Sequence, residues 1–250
     1  METRRERLKR WAGPLVALLL LGLAFEALRV ELADVRWAQL SGALSAVSRG
    51  AILLAFLATL ANFAALTFYD RIAFSYVGKV LPYRRIAYTS FLAYAIANSV
   101  GFAALSGTSV RYRYYSRWGV TPGELSRVVL SYSTTFWLGL VSLGGLALVL
   151  HPADGAARLL NPAVARAAGG VLCGLALAYL ALPWLRRRPL RVWRFDLAVP
   201  SRRTVLAQFA ASAADWTACA AVLHFLLPAS ALPFGALLGS FLVAQLVGLV

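Results

Sequence analysis

Acidic residues are scarce in this sequence: 10 Asp and Glu stand against 25 Lys and Arg. The side chains that most often carry chemistry are scarcer still, with two histidines and two cysteines in 250 residues. His151 and His224 belong to no HExxH pair, and neither a GxSxG elbow nor a Walker phosphate loop occurs. These absences leave little support for a metallohydrolase, a serine hydrolase or a nucleotide-driven enzyme, and no cofactor or metal is expected. Cys173 and Cys219 sit inside apolar runs, spaced for neither a metal site nor a bridge, and read as small buried hydrophobes. Long polar stretches are missing too, so no soluble domain and no low-complexity linker stands out.

Apolar sequence fills the chain instead. It is 60% hydrophobic with a mean hydropathy of +0.70, well above a soluble domain. Several runs approach the roughly 20 residues that cross a bilayer. The formal charge is +15. In a soluble protein that excess would suggest nucleic acid. Here the arginines lie beside apolar runs, which favours anionic phospholipid as the partner.

Five basic residues between Arg4 and Arg10 precede the first run, Trp11 to Leu28. It has no clean small-x-small cleavage site, so it reads as an uncleaved span with the N-terminus in the cytoplasm. Trp37, Leu40, Leu44 and Val47 then recur at helical spacing, as in a surface-lying helix or a plain connecting one. Further runs are Ala51 to Tyr69, Ile86 to Leu105, Leu125 to Leu150, Ala163 to Leu185, Thr204 to Leu227 and Leu232 to Val250. The chain stops inside the last run, as the front part of a longer protein would.

Charge counting discriminates between topologies. If every run spans, 14 of the 25 basic residues fall outside, against the positive-inside rule. If Ile86 to Leu105 enters and leaves by the same face, 20 fall inside and 5 outside. Asn98, Ser99, Gly101, Ser106 and Gly107 suit a broken helix, and broken backbone at membrane depth marks substrate sites in transporters. The expected architecture is therefore all-α and polytopic, with about six transmembrane helices plus a re-entrant helical hairpin near Asn98 to Gly107. A full span with a polar kink is the competing reading.

The hairpin runs into a cationic, aromatic stretch. From Asn98 to Trp118 the sequence reads NSVGFAALSGTSVRYRYYSRW. Arg111 and Arg113 offer planar forks of donors to phosphate oxygens, and Tyr112 suits the boundary between acyl chain and headgroup. An ordinary span end with interfacial anchors looks the same. Asp215, in SAADWTAC, is the one acid deep in an apolar run. Such a carboxylate is costly and is a functional candidate. It suits a cationic substrate group, an arginine, or a structural hydrogen bond to a neighbouring helix, with Gln208 nearby. Asp70 and Glu124 read as ion-pair or capping residues, and Thr121 to Glu124 fits a capping box. Gly170 with Gly174 and Gly235 with Gly239 have the spacing that permits close helix packing.

The run from Ser106 to Arg113, SGTSVRYR, resembles the Ser/Thr-Gly-x-x-Val-Arg-Tyr-Arg signature in the membrane domain of the MprF family of lysylphosphatidylglycerol synthases and flippases. Tyr69-Asp70, Asn98, Gly101, Tyr115-Ser116, Gly119, Gly139, Asp215-Trp216, Leu226-Leu227-Pro228 and Ala244-Gln245 look like the family as well. The likeness runs from about the first span to Val250, so residues 1–250 are expected to be the N-terminal part of a lipid-flippase domain. It implies a multi-pass protein of the bacterial cytoplasmic membrane that moves lysyl- or alanyl-type phosphatidylglycerol to the outer leaflet. Lower surface negative charge and resistance to cationic peptides would follow. On this reading Arg111, Arg113 and Tyr112 hold the headgroup, Asn98, Gly101, Ser106 and Gly107 form a broken-helix cradle, and Asp215 meets the cationic aminoacyl group. Partners would be anionic and aminoacylated phospholipids and a second copy of the chain, without nucleic acid. The family's synthase domain is not in this sequence, nor is the Pro-Gly-Gly segment expected soon after Gln245. The chain would alternatively be the membrane module that presents lipid to a cytosolic aminoacyltransferase, or an assembly scaffold.

Overall fold

The computed structural model describes residues 45–100, 103–152, 161–186, 190–192, 195–197, 199–227 and 233–248, together with Gly22, Glu26, Arg29 and Gly42. It forms two units, Met1–Ser48 and Arg49–Val250. In the first, Arg29 pairs with Glu26 at 2.8 Å. The expected first span and surface helix lie almost wholly outside the described residues.

The second unit begins with α1, Arg49–Val77, a helix with no Pro and with no Gly past Gly50 in its first turn, apolar over most of its length. It stops at Gly78, whose φ of +77° only glycine takes readily. Gly78 N–H donates to Ser75 O and Lys79 N–H to Phe74 O, the paired bonds of a Schellman ending. Two shorter helices follow, α2 at Tyr83–Val100 and α3 at Ala103–Tyr115. A 3₁₀ turn at Ser116–Trp118 closes on Gly119, φ +76°. Then come α4, Pro122–Leu150, and α5, Pro162–Leu185. A two-stranded antiparallel ribbon pairs β1, Leu190–Val192, with β2, Phe195–Leu197, so that Arg191 faces Asp196 across the register. The last helices are α6, Arg202–Leu226, and α7, Phe234–Gly248.

Helix starts follow from local chemistry. Thr121 and Glu124 cap α4 reciprocally, with Pro122 at the first turn, as the sequence anticipates. Asn161 accepts from Ala163 N–H to start α5, and Ser201 accepts from Thr204 N–H to start α6.

Among the described residues, α1, α4, α5 and α6 are long and apolar enough to cross a membrane, and α7 is a shorter apolar helix. This is a multi-pass helical membrane protein; among the described residues, the short ribbon in the Arg186 to Arg203 loop is the one β element in an otherwise helical chain.

The path of the chain settles where the hairpin enters. Helices α2 and α3 run antiparallel: Tyr88 meets Tyr114, with ring centres 5.6 Å apart, and Gly107 lies against Ala93 and Ala97. Both outer ends lie where α1 finishes and α4 starts. There the Tyr115 ring meets Phe74 at 4.8 Å, and Lys79 reaches the Gly119 carbonyl and Glu124. The pair therefore enters and leaves the bundle at one end, as the arginine count requires. Beyond it, α4 and α5 pack antiparallel through Gly145 and Gly169. Arg202 stacks over Trp184 where α5 hands over to α6. Finally α7 returns along α4, with Leu246 against Gly144 and Gly239 against Ala147. Arg71, Lys79, Arg84, Arg85, Arg117, Arg186, Arg202 and Arg203 thus gather at the end where the hairpin opens.

Close helix approach is only partly where the glycine spacing put it: a Cβ on Gly239 would lie 3.3 Å from Ala147 Cβ. A Cβ on Gly170, Gly174 or Gly235 would meet nothing within 4 Å. A Cβ on Gly169 would lie 2.6 Å from Gly145 O, so that pair is the tight crossing.

Candidate functional site

Gly107, Arg111 and Tyr115 recur every four residues on α3 and therefore share one face. All three are buried. That face turns toward α1 and α2, and Arg111 meets Asp70 there. Its Nε and Nη2 donate to the two carboxylate oxygens, each at 2.9 Å. Arg111 is 1% exposed and Asp70 0%. Tyr115 donates a third bond to Asp70 at 2.7 Å. The guanidinium is further held between two rings, 4.5 Å from Tyr94 on α2 and 4.3 Å from Tyr132 on α4. A fork-to-fork pair with extra donors and two ring faces is the geometry in which a buried charge pair recovers its desolvation cost.

A second buried carboxylate lies across α1. Asp215 of α6 accepts from Tyr69 Oη at 2.7 Å and from Asn62 Nδ2 at 2.5 Å. Asn62 also reaches Cys219 Sγ at 3.1 Å. Gln208 is not its partner: it accepts from Tyr179 at 2.9 Å. Adjacent residues of α1 thus reach two neighbours, Tyr69 donating to Asp215 of α6 and Asp70 accepting from Arg111 and Tyr115 of the hairpin.

Three buried side-chain oxygens have no hydrogen-bond partner among the described residues: Thr89 Oγ1 and Tyr94 Oη on α2, and Ser131 Oγ on α4. A polar atom in that state costs free energy wherever water cannot reach it. Two of the three belong to the hairpin's entering limb, and Tyr94 carries the ring that covers Arg111.

The candidate headgroup residues separate into groups. Arg111 is a buried anchor of the hairpin, its fork occupied by Asp70; this corrects its reading as a surface phosphate ligand, because the face it shares with Gly107 and Tyr115 turns inward. Gly107 belongs with it, since a Cβ there would sit 3.2 Å from Arg111 Nη1. Tyr112 and Arg113 are exposed on the other face of α3. Tyr112 lines a cavity of about 540 Å³ with Thr108, Ser109, Leu125 and Val129 between α3 and α4. Asn98 is exposed near the tip of α2 and Ser106 half-buried on α3. Gly101 lies outside the described residues. Asp215 is 4% exposed. Asn62, Tyr94 and Tyr132 were not singled out from sequence, and Tyr69 only as part of the resemblance; the physical signal for them is the lone acids at Asp70 and Asp215, each of which needs donors at that depth.

No family model matches the chain. It is 28% identical to the uncharacterized protein slr0712 of Synechocystis sp. over 250 residues, 99% of this chain and 78% of that protein. It is 29% identical to the inner membrane protein YbhN of Escherichia coli over 188 residues, 73% of this chain and 57% of that protein. The chain is thus similar to one protein named as an inner membrane protein, and the matched part spans little more than half of it. Neither relative's name mentions lysylphosphatidylglycerol.

Proposed function

We propose that this chain is the lipid-translocating part of a protein of the bacterial cytoplasmic membrane, moving aminoacylated phosphatidylglycerol from the inner to the outer leaflet. The observation that carries the reading is the helical hairpin that opens at the arginine-rich end. Its entering limb holds the buried, unpartnered oxygens of Thr89 and Tyr94. A headgroup crossing a bilayer needs a polar surface in place of water, and discontinuous helices are where transporters supply it. Similarity to an inner membrane protein supports the location.

The residues that meet the lipid change with the geometry. Arg113 and Tyr112, exposed on the returning limb, take the phosphate and the boundary below it. Asn98 and Ser106 serve the broken tip. Asp215 holds the path's negative charge next to α1, facing a cationic aminoacyl group.

The test is leaflet-resolved labelling of aminoacyl phosphatidylglycerol in cells that carry the full-length gene and a separate synthase, at matched expression and total lipid. Arg113→Ala is expected to lower outer-leaflet lipid about fivefold, the weight of roughly 1 kcal/mol per basic residue at an anionic surface. Unchanged surface lipid overturns translocation at this site. It would transfer the reading to a membrane module that presents lipid to an aminoacyltransferase.

A further inference from the structure

Helices α1 and α6 leave a groove between them of about 760 Å³. Alanine dominates one half of its lining, with Ala61, Ala64 and Ala65 from α1 and Ala207, Ala211 and Ala214 from α6, while Phe68 and Ile72 add apolar surface on α1 toward the other half. Where both walls carry only methyls, the helices leave room for something slender. The groove runs on α1 from Ala61 to Ser75, roughly 21 Å at the helical rise. That is more than one leaflet of a hydrocarbon core about 30 Å thick.

One end of the groove is different. Arg71 and Arg203 line it there, from the last turns of α1 and the first turn of α6. Both are exposed. Arg71 is held by stacking over the Tyr83 ring at 5.2 Å, and Tyr83 shares a hydrogen bond with Thr67 at 2.7 Å. None of the residues lining the groove is acidic, and neither arginine has a carboxylate partner among the described residues. This end is also the one at which the hairpin opens and the other arginines gather, the level of the headgroups.

We infer that this groove is a binding site for one anionic phospholipid, with an acyl chain along the alanine walls and the phosphate between Arg71 and Arg203. The charge decides the occupant. A second apolar helix would fill the alanine walls but would leave two cations at the mouth unanswered. A zwitterionic lipid answers them with no net charge. Two arginines from separate helices, one already stacked in place, match the oxygens of a single phosphate. The inference goes beyond translocation, because a lipid bound here does not have to move.

The experiment uses the purified full chain in mixed micelles with phosphatidylglycerol or phosphatidylcholine, each carrying a photoreactive diazirine on one acyl chain. Labelled peptides are then mapped by mass spectrometry. Phosphatidylglycerol is expected to label the peptides containing Ala64 and Ala207 in preference to phosphatidylcholine. The Arg71→Ala/Arg203→Ala double variant is expected to lower that labelling about tenfold or more and leave phosphatidylcholine unchanged. Equal labelling by the two lipids in the unaltered chain overturns the proposal, and so does a double variant that labels like it. A second measurement addresses the rival occupants. Ala64→Cys forming a disulfide with cysteines placed along residues 11–28, or with a second copy, would show the groove filled by protein and would also overturn it. None of these outcomes bears on the Arg113 labelling assay, so the two readings fail separately.

Discussion

The two halves of α4 hold their neighbours by opposite means. Its first half presents Tyr132 to the hairpin, where the ring covers the buried Arg111 beside Asp70. Its second half presents Gly139, Gly144 and Gly145, which let α6, α7 and α5 come close. In a bilayer lipid tails are as apolar as leucine, so the hydrophobic effect does not press helices together. The second half therefore relies on contact and gains from removing side chains. The first half relies on directed groups and gains from adding them. A directed contact fixes one register; a smooth one fixes a distance. The hairpin is thus pinned in position, while α5 is merely held near.

The sharpest way to break this contrast is Arg111→Ala. It leaves Asp70 buried without its cation and is expected to cost about 3–5 kcal/mol, read as a lower unfolding midpoint in mixed micelles. Replacing both partners, Asp70→Leu with Arg111→Met, is expected to recover more than half of that loss, since an apolar pair of similar volume leaves no orphan charge. Failure to recover would mean that the tyrosines, and not the ion pair, hold the hairpin. In the other half, Gly145→Leu is expected to cost about 1–3 kcal/mol by overpacking against Gly169. Gly170→Leu, facing open space one residue from that partner, is expected to change little. Equal effects would refute the assignment of the tight crossing. The smallest of the losses belongs to Asn161→Ala, which removes the cap of α5 and is expected to cost about 1 kcal/mol. Hydrogen exchange confined to the first turn of α5 would check it.

Much of the frame was legible. Apolar runs gave α1, α4, α5 and α6 because bilayer thickness sets their length. The Thr121 to Glu124 box marked the start of α4, because capping is local chemistry. The same-face hairpin followed from where the arginines lie, since the membrane sorts charge by side. The site was less legible. Arg111 stands among Tyr112, Arg113 and Tyr114, and composition alone does not separate an inward arginine from an outward one. Spacing does: Gly107, Arg111 and Tyr115 lie one helical turn apart, and Arg113 lies on another side. The partner was out of reach, because Asp70 comes from another helix and only the fold brings it close. Gly170 and Gly174 misled for a related reason, as a small-residue spacing does not say which face meets a neighbour.

Tyr69 and Asp70 are consecutive on α1 and point about 100° apart around its axis. One holds Asp215 of α6, and the other holds Arg111 and Tyr115 of the hairpin. Mechanically, α1 is a shaft with two cranks set at a fixed angle. Its rotation drives both cranks at once, whereas sliding along its length meets the two-pronged grip on Arg111. The hairpin and α6 are thereby geared to each other through a helix that the hairpin follows directly in the chain and α6 does not.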